Sequence, residues 1–285
     1  MGLLSDEAAQ LVHQKLRDWS QGDFTLEINT FIHIANPLAP LTSSAASVSG
    51  VEGEDFVAVP SEVLGIVVVT QTCDIVNKLM ERPYVEVCPI VEVGPEDLPL
   101  VKSGNRPGAV YLSTFGNKPW AVDLDRVMTI EKTILVAANR VVGCPNKEDQ
   151  RKLAIALARK RARFAFPDEF ESMMQGFLKY TKKRHGKQSP EGEALLLIRE
   201  FRASASPSWT EPTGPINVTI YAIRNGPHVP KNKTWAEIVR IWEKELATST
   251  IFLPPQFLVV DLENITGKDY AESEVLDLNY LSEPK

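Results

Sequence analysis

Residues 65–69 (Gly-Ile-Val-Val-Val) lead without a break into the polar sequence Thr-Gln-Thr-Cys-Asp at residues 70–74. Successive apolar, mostly β-branched side chains over so short a run are typical of a strand buried in a sheet. Because a rigid strand fixes the position of whatever follows it, polar groups clustered at its end are common in functional sites. The sequence therefore predicts a β-rich region with a candidate site where this strand ends.

The chain changes character along its length, and four regions follow from that change. Residues 57–137 carry short β-branched stretches separated by Gly, Pro and Asn, a pattern typical of a small, curved β-barrel. Residues 1–56 before them contain a helix, a strand and, at 36–55, a loop or mobile flap. Residues 138–205 are helical and basic, and residues 206–285 return to a mixed α/β pattern. The predicted fold class is α+β.

Individual elements follow from apolar periodicity and from capping residues. Helical spacing predicts helices over residues 148–163, 168–183 and 234–247, the last of them capped by a threonine. β-Branched residues predict strands over 84–93 and 120–136.

Cysteine content and the apolar runs limit the class of protein. Cys73, Cys88 and Cys144 are an odd number at irregular spacing, which predicts neither a disulfide framework nor a zinc site. No apolar run approaches the roughly 18–20 residues that a bilayer span needs, and the first residues lack the features of a signal peptide. We therefore expect a cytoplasmic protein with no membrane association.

Because glycine-rich phosphate loops and zinc-protease motifs are absent, we expect no metal and no cofactor.

Two interpretations of residues 70–74 stay open at this point. Cys73 is a candidate nucleophile if a base or a dipole lowers its pKa, with Asp74 beside it as a second candidate catalytic residue. No histidine is close in sequence, so any base must arrive by folding. In the alternative, Thr72 and Asp74 bond the backbone of a turn while Cys73 packs as a small hydrophobic residue.

The net charge of −6 hides a strong asymmetry. Residues 147–187 carry 12 Lys and Arg against 5 Asp and Glu, a net charge of +7, which leaves −13 for the rest of the chain. Cations are interleaved with phenylalanines near the middle of this segment, which favours contact with phosphates and bases. The candidate nucleic-acid-binding residues are Arg159, Lys160, Arg161 and Arg163. The alternative is that these cations dock on the acidic surface of the protein itself.

Three short motifs within residues 57–137 resemble those of the MazF/PemK-like toxins. They are Arg82-Pro83, Cys88-Pro89-Ile90 and the stretch at residues 125–132. Members of that family have an SH3-like barrel and cleave RNA with an arginine and a threonine. The resemblance therefore implies an SH3-like barrel over residues 57–137, with Arg82 as the catalytic arginine. At the position of the threonine this chain has Val91.

Two classes of function remain open on the sequence. The first is a binding or regulatory protein, of the kind found in toxin or defence systems, whose barrel recognises RNA, DNA or a protein partner. The second is an enzyme, either a diverged endoribonuclease centred on Arg82 or a cysteine-dependent enzyme centred on Cys73. The sequence leaves the oligomeric state open.

Overall fold

A computed structural model describes residues 4–48, 55–162, 164–210, 215–224 and 226–278. The chain forms two compact units, Met1–Ala162 and Arg163–Lys285. Each unit combines helices with a mainly antiparallel sheet, so the predicted α+β class is confirmed.

The first unit contains both short and long elements. Its helices are α1 (Asp6–Leu16), α2 (Ser43–Ser47), α3 (Thr72–Ile75), α4 (Leu98–Lys102), α5 (Lys132–Ala137) and α6 (Lys147–Arg161). Its strands are β1 (Phe24–Thr25), β2 (Thr30–Ala35), β3 (Val57–Glu62), β4 (Gly65–Val68), β5 (Tyr84–Glu92), β6 (Ala109–Val110), β7 (Trp120–Asp123) and β8 (Met128–Glu131). Strands β2 and β3 form a separate antiparallel pair, and the other six strands form one sheet.

The central strand of this six-stranded sheet is β5. It pairs with β4 along one edge, and Val87 pairs with both Val68 and Met128, so β8 lies along the opposite edge. Strand β7 follows along that same opposite edge, where it pairs with residues 90–92. The apolar run at residues 65–69 is thus confirmed as a buried strand, held between β1 and β5.

Both faces of β4 are buried, as expected for a strand that is apolar without alternation. Ile66 and Val68 point into a core with α1 and α5, whereas Val67 faces a second core that includes Leu153 and Leu157 of α6. Among the described strands no sheet closes into a barrel, so the closed barrel expected over residues 57–137 is not observed. Helices cover both faces of an open sheet instead, and β1 comes from outside the predicted barrel.

Two further predictions for the first unit differ from the structure. The predicted strand over residues 120–136 is two short strands followed by α5, because the chain leaves the sheet after Glu131. The predicted loop over 36–55 contains α2, which Thr42 caps through its side chain and whose Ala45 is buried. Residues 49–54 of that loop lie outside the described part of the chain.

The second unit is built around aromatic side chains. Its helices are α7 (Asp168–Arg184), α8 (Pro190–Leu197), α9 (Trp235–Lys244) and α10 (Gly267–Glu272), and its strands are β9 (Ile198–Ser206), β10 (Asn217–Arg224), β11 (Gln256–Asp261) and β12 (Glu274–Val275). The strand order is β11-β10-β9-β12, with β10 and β11 parallel. Phe177, Phe201 and Trp242 meet edge to face in its core, and Phe257 packs against Phe177 and Trp242 at a tilt. Such contacts add to the free energy of burial of each ring.

The helix predictions are confirmed to within a few residues by α6, α7 and α9. The predicted helical region 138–205 is nevertheless divided. Its first helix, α6, belongs to the first unit and its second, α7, to the second unit, while β9 occupies its end. The division follows from burial, because Leu153 and Leu157 of α6 pack on the aliphatic sheet and Phe170 and Phe177 of α7 pack in the aromatic core.

Candidate functional site

The two residues that follow β4, Val69 and Thr70, are hydrogen-bonded to the neighbouring strand β5. The backbone N–H of Val69 donates to the carbonyl of Glu86 at 2.9 Å, and the N–H of Glu86 donates to the Thr70 hydroxyl at 2.6 Å. Thr70 therefore extends the ladder between β4 and β5 by one residue through its side chain.

Thr72 is tied to an earlier part of the chain. Its hydroxyl accepts a hydrogen bond from the backbone N–H of Gln21 at 3.0 Å. The side-chain amide of Gln21 in turn donates to the carbonyl of Val69 at 2.7 Å. For Thr72 the contacts support the interpretation as a backbone-bonding group, although the amide that it fixes belongs to Gln21 and not to its own turn. Thr70, for which no such role was predicted from the sequence, fixes a backbone amide as well.

Cys73 is the exposed cysteine of the three, and it lies in the one-turn helix α3. Burial raises the pKa of Cys88 and of Cys144 to about 12, so neither forms a thiolate at neutral pH. The Cys73 sulfur lies 3.7 Å from the side-chain oxygen of Gln71. Across the described ranges, which include all four histidines, Cys73 has no hydrogen bond to a histidine. Within the described residues, no histidine base is therefore hydrogen-bonded to the Cys73 thiol.

Asp74 and Arg82, two of the three predicted catalytic residues, do come together. The Arg82 guanidinium donates to the Asp74 carboxylate over 2.7 Å, and their side chains are 61% and 40% exposed. The pair closes the loop between α3 and β5. The Arg82 guanidinium and the Asp74 carboxylate thus neutralise each other's charge.

Lys132 was not predicted as part of this site, yet it fixes the backbone of residues 74–77, which we call the site loop. Its side chain is fully buried, and its amine donates to the carbonyls of Asp74 at 2.8 Å and Asn77 at 3.2 Å. Burial lowers the pKa of the Lys132 amine, and the nearby Asp74 carboxylate partly opposes that shift. In the sequence, Lys132 is a single lysine at the start of an apolar stretch. The β-branched residues of that stretch predict a strand, so no local pattern indicates the role of Lys132.

A groove of about 540 Å³ runs past the end of β4 and across β5 towards α6. The polar and charged side chains Gln71, Asp74, Tyr84, Glu86, Thr129 and Arg161 share its lining with apolar ones, among them Val85 and Leu157. Arg161 donates to the Glu86 carboxylate at 2.5 Å, so one acid–guanidinium pair lies in the groove, whereas Arg82, the partner of Asp74, does not line it. Tyr84 is 60% exposed and offers an aromatic surface beside these charges.

The predicted nucleic-acid-binding cations are engaged with their own unit wherever the structure describes them. Arg161 pairs with Glu86, Lys160 pairs with Asp125, and Arg159 donates to the carbonyl of residue 104 at 3.0 Å. The remaining predicted residue, Arg163, lies outside the described residues. These contacts match the alternative in which the cations dock on the protein's own surface.

No protein-family model, curated protein or solved structure matches this chain. Within the described ranges, no helix is both long and apolar enough to cross a bilayer. Nor do three or more His, Cys, Asp or Glu side chains converge as metal ligands anywhere in that part of the chain.

Proposed function

We propose that this chain is a binding protein without catalytic chemistry of its own, and that its groove takes a polypeptide segment of a partner protein. The observation that carries the proposal is the presence of both signs of charge in the groove. The carboxylates of Asp74 and Glu86 and the guanidinium of Arg161 line it together, so charged acceptors and a charged donor share one surface. A polypeptide backbone offers N–H and C=O groups in nearly equal number, which complements such a lining.

A nucleic acid is a poorer ligand for this groove than a polypeptide. Its phosphates would approach the carboxylates of Asp74 and Glu86, and like charges at an interface are costly. To contact Arg82 or Arg161, a phosphate would also have to replace the carboxylate that each arginine already holds.

The enzyme alternatives lack the partners that their chemistry requires. A cysteine nucleophile needs a base or a cation to form its thiolate, and the hydrogen-bond partner of Cys73 is an amide oxygen. For the endoribonuclease, Arg82 is paired with Asp74 and Val91 stands in place of the threonine. The SH3-like barrel and the role in a toxin or defence system stay predictions from the resemblance.

A display library of random peptides, selected on the immobilised full chain, tests the proposal. Selected peptides should bind an Asp74→Asn, Arg161→Gln double variant at least about tenfold more weakly, since a hydrogen bond to a charged group contributes about 1.5 kcal/mol or more. Arg106→Gln is the matched control, because Arg106 forms an exposed ion pair with Asp97 and does not line the groove. Peptide affinity should be unchanged in that control.

Two results would overturn the proposal. Selected peptides that bind the double variant and the wild type equally would place their site elsewhere. Cleavage of a labelled RNA by the wild type, lost in Arg82→Lys or in Cys73→Ser, would establish the enzyme alternative in its place.

A further inference from the structure

The end of α7 and the turn after it carry five cations, which we name the α7 basic end. They are Lys179, Lys182, Lys183, Arg184 and Lys187. No acidic residue lies between Glu171 and Glu191, and all four lysines are exposed. These are five of the 12 cations of the basic segment seen in the sequence, and they lie in the second unit.

None of these five cations forms an ion pair within the described part of the chain. The acids that follow in sequence are already taken, because Lys233 binds Glu191 at 2.7 Å and the backbone N–H of Lys231 donates to Glu193. Arg184 faces the ring of Tyr180, with its guanidinium carbon 5.9 Å from the ring centre. Among the described residues, the cations of the α7 basic end therefore have no ion-pair partner.

The backbone beneath these cations is held rigidly. The N–H of Lys187 donates to the carbonyl of Arg184 at 3.0 Å, which forms a tight turn after α7. That turn packs so closely on α8 that a β-carbon at Gly192 would lie 2.2 Å from the carbonyl of Lys187. A rigid scaffold lowers the entropy cost of binding, because only the lysine side chains need to be ordered.

Three of the four cations on the helix itself share one face. At 3.6 residues per turn, Lys179, Lys182 and Lys183 fall within about 100° of the helix surface, and the first and last are about 6 Å apart along the axis. Three amines so placed can contact successive phosphates of one strand.

We propose that the α7 basic end binds the phosphate backbone of a nucleic acid. This inference concerns the second unit and does not depend on the groove of the first. A membrane surface fits less well, because helices that lie on membranes combine cations with an exposed apolar face. The large apolar side chains of α7, among them Phe170, Phe177 and Leu178, are buried in the core of the second unit.

Fluorescence anisotropy with a labelled single-stranded RNA, repeated with a labelled DNA duplex, tests the inference. The key variant is Lys179→Gln, Lys182→Gln, Lys183→Gln in the full chain. If these three lysines contact phosphates, the slope of log affinity against log salt should become shallower by about 2, at about 0.7 per contact on a single strand. At about 50 mM salt, affinity should fall by at least about tenfold.

A matched control removes the same number of charges from cations that already have partners. Arg106→Gln, Lys152→Gln, Lys268→Gln does so, because these residues pair with Asp97, Glu148 and Glu272. Its salt slope should equal that of the wild type. Equal slopes for both triple variants, or a wild type that binds neither RNA nor DNA at low salt, would overturn the inference. Binding only to phosphatidylserine vesicles would overturn it as well, in favour of a lipid headgroup.

Discussion

Helices α6 and α7 both end in a run of cations, and the structure gives the two runs opposite surroundings. At the end of α6, Lys160 and Arg161 form ion pairs with Asp125 and Glu86. At the α7 basic end, no acid lies within ion-pair distance among the described residues. Local composition does not separate the two, since the partner of Arg161 lies 75 residues away in the sequence. A charge count therefore locates cations without telling which of them are free to bind.

The difference extends to what holds each helix in place. Leu153 and Leu157 of α6 pack on the sheet, and the charged end adds ion pairs to that packing. Helix α7 is held by a buried aromatic face, a close approach at Gly176 and a backbone hydrogen bond from Ala247 to the Met173 carbonyl, and its cationic end adds no ion pair among the described residues. This contrast can be tested by damaging each kind of contact separately.

The largest effect is expected from Gly176→Ala in α7. A β-carbon there would lie 2.0 Å from the backbone carbonyl of Glu245, so either helix must shift. Although Ala is normally better than Gly inside a helix by about 1 kcal/mol, we expect the free energy of unfolding to fall by about 3 kcal/mol. Urea unfolding followed by circular dichroism measures this value. Gly267→Ala is the control, because a β-carbon at Gly267 meets nothing within 4 Å; a comparable loss in both variants would show that packing at Gly176 is not the cause.

Lys132 represents the extreme case of a cation held entirely by its own chain. In Lys132→Met the carbonyls of Asp74 and Asn77 lose their buried donor, and we expect a loss of about 2 kcal/mol in the free energy of unfolding. Backbone amides of α3 should also exchange hydrogen faster, because the loop is no longer held from beneath. The exposed Lys15→Met should change neither quantity. Unchanged exchange in α3 would mean that Lys132 does not position the site loop.

Helices, strands and the α+β class can be predicted from the sequence because their signals lie within a few residues of each element. Residues such as Asn146 and Thr234 cap helices within three residues of their own positions, and the apolar run after Gly65 needs no distant partner to be read as a strand. The strand prediction for residues 132–137 is wrong. Their β-branched residues favour a strand, whereas buried contacts of Lys132 and Leu135 hold the segment as a helix.

The candidate site was only partly predictable for a related reason. Asp74 and Arg82 are only eight residues apart, so a turn brings them together, although the sequence placed them in separate hypotheses. Packing between distant parts of the chain brings Glu86, Arg161 and Lys132 to the site, and no local sequence pattern predicts that packing. The same holds for the division of the basic segment between two units.

A smaller effect should separate the two helix ends directly. We expect Arg159→Gln, Lys160→Gln, Arg161→Gln to lower the free energy of unfolding by about 1 kcal/mol more than Lys179→Gln, Lys182→Gln, Lys183→Gln. Both variants lose cations near a helix C-terminus, so the helix-dipole contribution is shared, and the difference reports half-exposed ion pairs worth up to about 1 kcal/mol each. Thermal unfolding of both variants at low and high salt provides the measurement. A larger loss in the α7 variant would contradict the assignment of the two cation runs.

The smallest effect concerns Glu191, whose pairing with Lys233 leaves the α7 basic end without an acid. The hydrogen bond from Lys233 lowers the pKa of Glu191 below its ordinary value of 4.5. A carboxyl with a lowered folded-state pKa contributes stability that is present above the unfolded-state pKa and is lost as the pH falls through the folded-state pKa. Between about pH 5 and about pH 3, the wild type should therefore lose more of its free energy of unfolding than Glu191→Gln does, by less than about 1 kcal/mol. The exposed Glu243→Gln should follow the wild type. If Glu191→Gln and the wild type instead respond identically to acid, Lys233 does not hold Glu191, that carboxylate is available to the lysines of α7, and the contrast between the two helix ends disappears.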